Sequence, residues 1–149
     1  MMTVKYPLAL VAVVLWIGFV CAISFMEAWL KFRAPGVTVP LGLGIGRLVF
    51  AALNKVEWIL ALVTLANLLF FGGVSWRSSY VFLVGPVVVL ILQTFWLLPA
   101  LDARAELHIQ GLPVKQSALH LYFIGGEVIK VVCLALFSSS LFVRMIPLQ

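Results

Sequence analysis

Four stretches of this chain stay apolar for twenty residues or more, at about 6–30, 45–71, 79–110 and 118–143. A helix rises ~1.5 Å per residue, so ~20 apolar residues cross a hydrocarbon layer ~30 Å thick. In that layer water cannot satisfy backbone groups, so such runs must be helical. Hydrophobic residues make up 64% of the chain and charged residues 10%, against ~25% charged in an ordinary soluble domain. So little charge cannot cover a core of that size in water. The sequence therefore predicts an all-α integral membrane four-helix bundle, up-down-up-down, with residues 1–149 forming a single domain and the lipid bilayer as its main partner.

Punctuation supports these boundaries. Pro7 suits the first turn of helix 1. Pro35, Gly36, Pro40, Gly42 and Gly44 predict a loop from Lys31 to about Gly44. Gly72 and Gly73 close helix 2, and Ser78 or Ser79 is placed to cap helix 3. Pro86 and Pro99 are candidate kinks in helix 3, while Gly111 and Pro113 form its stop signal. Ser117 is placed to cap helix 4. The first apolar run follows Lys5 but has no clean small-x-small cleavage site, so it reads as a retained helix rather than a leader. Cys21 and Cys133 fall at different helical depths, roughly 10 Å or more apart, which predicts two free thiols.

Four crossings put both termini on one side, here the terminal side; the opposite side is the distal side. Distal positions carry Lys31, Arg33, Arg47, Lys55, Arg104 and Lys115, and terminal positions Lys5, Arg77 and Arg144. Six cations against three predict a cytoplasmic distal side and non-cytoplasmic termini, in the inner membrane if the source is bacterial. The net charge of +5 has this topological meaning; no basic run points to nucleic acid.

The acids are distributed one-sidedly. Glu27, Glu57, Asp102, Glu106 and Glu127, with His108 and His120, all fall toward the distal ends of their helices. Glu27 and Lys31 share a helix face and can pair. On helix 2, Arg47, Asn54, Glu57, Thr64 and Asn67 form a drifting polar band, while Lys55 points elsewhere and snorkels. On helix 4, His120, Glu127 and Lys130 make a second stripe. Glu127 lies roughly 15 Å into its helix, a costly depth for an unpartnered carboxylate. Lys130 is its nearest partner within the helix, and Glu57 is a candidate partner across the bundle. Together Glu27, Arg47, Asn54, Glu57, His120, Glu127 and Lys130 predict a polar pocket opening distally, suited to an ion, a proton or a lipid head group.

Two other readings compete with a non-enzymatic transport, binding or accessory role. His108 and His120 could ligate a metal or haem in a redox protein or enzyme, although no Glu-x-x-His, Cys-x-x-Cys-His or His-Glu-x-x-His spacing is present. Alternatively, the helix 2 band could face a partner helix, making the chain a homo-oligomer or a subunit of a membrane complex. No nucleophile motif or phosphate loop occurs. The alternation of Gly42, Gly44 and Gly46 points to flexibility or close packing, as do Gly125 and Gly126. Trp29, Trp76, Trp96 and Tyr122 fit interfacial aromatic belts.

Trp16, Gly18 and Cys21 in helix 1 and the Gly46-Arg47-Leu48-Val49-Phe50 opening of helix 2 resemble the transmembrane protein 205-like family of small four-span membrane proteins. Leu92, Trp96 and Pro99, then Glu106 before Gly111, then Leu119-His120 and Glu127 continue the likeness as an order of elements. Where that family carries an amide in its fourth helix, this chain has Glu127 and Lys130. The resemblance implies a compact four-helix bundle and supplies no reaction.

Overall fold

The computed structural model describes residues 2–4, 6–71, 81–115 and 117–144, with side chains between Tyr6 and Phe142 within those ranges. Four helices carry the fold: α1 (Pro7–Arg33), α2 (Val39–Phe71), α3 (Val81–Ile109) and α4 (Leu119–Ser140). Each is long and apolar enough to cross a membrane. A short antiparallel pair, β1 (Met2–Val4) and β2 (Phe142–Arg144), holds the two ends of the chain side by side, Met2 opposite Arg144. Lys5, Trp76, Arg77 and the predicted signals Gly72, Gly73, Ser78 and Ser79 lie outside the described residues.

Local chemistry moves several boundaries from their predicted places. Helix α1 continues in a tight 3-10 turn, Lys31–Arg33. It stops there because Pro35 excludes the helical conformation at Ala34, which is extended. Helix α2 begins at Val39 rather than near Ile45. Thr38 explains this: its hydroxyl accepts from the Leu41 N–H at 3.4 Å and its carbonyl from the Gly42 N–H at 2.9 Å. Pro40 then occupies the first turn, where its missing N–H has no cost. Gly42 and Gly46 are therefore helical packing residues and not loop breakers. A Cβ at Gly42 would overlap the Phe32 ring, and one at Gly46 would stand 3.0 Å from Lys31 Nζ.

Helix α4 ends at Ser140, short of the predicted Val143. The hydroxyls of Ser138, Ser139 and Ser140 donate to carbonyls one turn back, at 2.9, 2.8 and 2.7 Å, and such bonds compete with the backbone ladder. Helix α3 ends as predicted: Gly111 is left-handed (φ 72°), its N–H bonds the His108 carbonyl, and the Leu112 N–H bonds the Leu107 carbonyl. At the start of α4 the Ser117 hydroxyl accepts from the Leu119 N–H at 3.2 Å. Both thiols are free.

Two wide π-helical turns interrupt the α-helical register, Cys21–Glu27 in α1 and Gln93–Leu97 in α3. A π turn shifts every later side chain around its helix. In α3 the widened turn ends two residues before Pro99, whose ring would otherwise crowd the carbonyl of Phe95. Before this turn α3 packs mainly on α4; after it, α3 packs mainly on α2. Helix α1 packs on α2 and α4. In the half nearest the termini, Val13, Trp16, Leu83, Leu90, Leu134 and Phe137 form one continuous apolar core. Leu48, Leu69, Phe70 and Phe95 instead point outward and are largely exposed, leaving an apolar outer surface of a kind soluble monomers avoid.

Candidate functional site

Beneath the apolar core the bundle buries charge. Glu57 of α2 and Glu127 and Lys130 of α4 are 2%, 0% and 0% exposed. Lys130 Nζ donates to Glu57 Oε1 and, at 3.4 Å, to Glu127 Oε1, and it lies 3.3 Å from Glu127 Oε2. Helix α1 contributes Trp16, whose indole N–H donates to the same Glu57 oxygen at 2.8 Å. Helix α3 contributes Gln93, whose amide donates to Glu127 Oε1 at 2.9 Å. All four helices thus meet at one ionic cluster. Two of its atoms remain without a hydrogen bond, Gln93 Oε1 and Glu127 Oε2; Lys130 is at ion-pair distance from the latter without bonding it.

A cavity of about 590 Å³ opens at the distal end of the same bundle. It exists because α3 leans away from α4 after its π turn, and Gly42 and Gly46 let Phe32 and Lys31 lie close along its wall. Phe50 and Phe123 meet edge to face, ring centres 5.2 Å apart, on one wall. Leu43, Leu98 and Ala105 make further apolar wall, while Lys31, Arg47, Asp102 and His120 form the ionisable part of the lining. Arg47 is clamped: its guanidinium grips Asp102 through two nitrogens, one at 3.0 Å, and also bonds Glu106. Glu106 accepts in addition from Gln110 at 2.9 Å. Lys31 pairs with Glu27 at 3.2 Å and stands 5.7 Å from the Phe50 ring centre, within cation-π range.

Thr94 links the two levels. It lines the cavity, accepts from Asn54 at 2.9 Å and Trp58 at 3.0 Å, and donates to the Leu90 carbonyl at 2.7 Å. Its chain neighbour Gln93 turns inward to Glu127. Along α4, Phe123 of the cavity wall and Glu127 are one turn apart, about 6 Å of helix rise.

The residues expected in one pocket therefore divide. Glu57, Glu127 and Lys130 meet in the buried cluster. Arg47 and His120 line the cavity, Asn54 bonds Thr94 in the cavity lining, and Glu27 reaches the cavity only through Lys31. Of the helix 2 band, Thr64 is buried and donates to its own helix at the Leu60 carbonyl, 2.8 Å away, while buried Asn67 keeps an unbonded Oδ1. Lys55 is exposed on the outer face of α2. His108 lies on the exposed face of α3 with Nδ1 3.0 Å from the Arg104 carbonyl. Among the described residues, no group of three or more His, Cys, Asp or Glu is placed to hold a metal ion.

Sequence reasoning missed Trp16 as a functional neighbour and gave Gln93, Asp102 and Glu106 no part in the pocket. A tryptophan in mid-span was the available signal for the first, since its N–H needs an acceptor once buried. For Gln93 the signal was indirect: Pro99 marks a kink nearby, but the spacing of residues does not say that the widened turn aims Gln93 at Glu127. No family model, curated protein or solved structure matches the chain.

Proposed function

We propose that this chain is an integral membrane protein that binds the polar head group of a lipid, or of a similar small amphiphile, in its distal cavity, without chemistry of its own. The carrying observation is the mismatch inside that cavity: its walls are mostly apolar and aromatic, and its charged groups occupy only part of the lining. A bare ion would leave the Phe50, Phe123 and Leu98 surfaces unfilled. A volume near 590 Å³ falls within the usual range for small-molecule sites. An amphiphile would set its head against Lys31 and His120 and its apolar part against the rings.

The four spans cross up-down-up-down in this reading, supported by the pairing of β1 with β2 at one end. The distal excess of Lys and Arg favours a cytoplasmic cavity mouth and non-cytoplasmic termini; a cytoplasmic signal from a reporter fused after Gln149 would reverse that sidedness. The resemblance to transmembrane protein 205-like proteins is in keeping with such a bundle.

Ala51 lines the cavity without a polar contact, so Ala51→Trp fills it. Native mass spectrometry of chain extracted from lipid nanodiscs should show a retained lipid on the parent protein and at least a tenfold lower occupancy on A51W. Equal occupancy of the two proteins, or none on the parent, removes the head-group reading.

A further inference from the structure

We propose that Glu127 and Gln93 together hold one exchangeable proton as a carboxylic acid–amide pair, making the buried Glu57–Lys130–Glu127 cluster a proton-binding site distinct from the cavity. The argument begins with charge. The cluster contains two carboxylates and one ammonium, all essentially without exposure. With every group ionised, one negative charge is left over, and an unbalanced charge in such surroundings is removed by taking up a proton. Losing the lysine proton instead would double the imbalance. No other ionisable side chain enters the described hydrogen bonds and ion pairs of the cluster: Trp16 comes from α1, Glu57 from α2, Gln93 from α3 and Lys130 from α4 itself.

Geometry selects the oxygen. Glu57 Oε1 already accepts from both Lys130 and Trp16, the bonding of a carboxylate. Glu127 Oε1 receives the Gln93 amide N–H at 2.9 Å and only a long bond from Lys130 at 3.4 Å, and its Oε2, 3.3 Å from Lys130 Nζ, has no hydrogen bond. Gln93 Oε1 is likewise unbonded. Buried polar atoms are rarely left so. A proton on Glu127 Oε2 answers both vacant positions at once. It donates to Gln93 Oε1 while Gln93 Nε2 donates to Glu127 Oε1, closing the cyclic acid–amide dimer.

The step balances simply. Hydronium at the distal cavity gives its proton to the carboxylate, an O–H bond forms on Oε2, water is released, and the cluster passes from one net negative charge to neutral. The route is short, because Thr94 of the cavity lining directly follows Gln93 in the chain and Phe123 of the lining stands one helical turn from Glu127.

Infrared spectroscopy of the full chain in lipid nanodiscs near neutral pH reads this directly, since a protonated carboxyl has a carbonyl stretch separate from that of carboxylates. The parent should show one such band, moving in D2O. Glu127→Gln should abolish it. Glu57→Gln should abolish it too, although Glu127 is intact, because Lys130 then balances the remaining carboxylate. Gln93→Leu should keep the band and shift it to higher frequency, since the carbonyl loses its donor; this variant serves even if E127Q does not fold. Absence of the band from the parent, its survival in E127Q, an unmoved band in Q93L, or no shift in D2O would each overturn the proposal. The head-group reading fails separately: A51W changes lipid occupancy and leaves this band in place.

Discussion

In the half of the bundle nearest the chain termini, Val13, Leu90, Leu134 and Phe137 meet with no measurable exposure. In the distal half the same four helices enclose a cavity of about 590 Å³ edged by Lys31, Arg47, Asp102 and His120. Between them lies the ionic cluster. The difference comes from α3. Before its π turn it packs on α4 and closes the core; after it, α3 leans to α2 and opens the space. Ionisable groups deep in such a bundle are therefore tolerable because each helix supplies a partner at one level, while access is provided one level further out.

This contrast can be broken in three ways. The largest effect belongs to the cluster. Lys130→Met leaves two facing carboxylates without a cation, and removing one partner of a buried ion pair costs roughly 3–5 kcal/mol. The double variant E57Q/K130M should recover a large part of that loss, so a double-mutant cycle in thermal or denaturant unfolding should show strong coupling. Additive costs would mean the two residues do not interact.

A smaller contrast compares two leucines. Leu134 is fully buried in the closed half, and Leu134→Ala should cost roughly 2–5 kcal/mol through lost packing and a new void. Leu98 lines the existing cavity, so Leu98→Ala enlarges an open space and should cost less than half as much in the same unfolding assay. Equal costs would show that the distal half is packed as tightly as the other.

The smallest effect lies at the distal rim. Glu27 is partly exposed beside Lys31, 3.2 Å away, and exposed ion pairs contribute about 0.2–1 kcal/mol. Glu27→Gln should therefore change stability by less than about 1 kcal/mol, and added salt should reduce that change further. A salt-insensitive loss of several kcal/mol would place Glu27 with the buried cluster instead.

Much of this arrangement was legible in the residues. The four helices followed from run length, the C-terminus of α3 from Gly111 and Pro113, and the Glu27–Lys31 pair from their spacing. Glu57 was legible as a candidate partner for Glu127 across the bundle, because a buried carboxylate needs one; in the structure the two carboxylates share Lys130 instead. The start of α2 was misread because Gly42 and Gly46 suit a loop or a close helix contact equally well. Only Phe32 and Lys31, packed against them, distinguish the two. Trp16 was passed over because an apolar neighbourhood hides the acceptor its indole finds.

What the sequence by itself determined is the helices and the end: its apolar runs give four helices long and apolar enough to cross a membrane, and its acids and histidines gather toward one end. Those are properties of length, composition and helical period, which need no partner to be read. Tertiary structure alone decided that the expected pocket is two sites, a cavity held by Arg47 and His120 and a closed cluster of Glu57, Glu127 and Lys130. That division depends on how far α3 turns between Gln93 and Leu97: Pro99 marks where the helix must give, but which neighbour each side chain then meets is set by the helices packed around it.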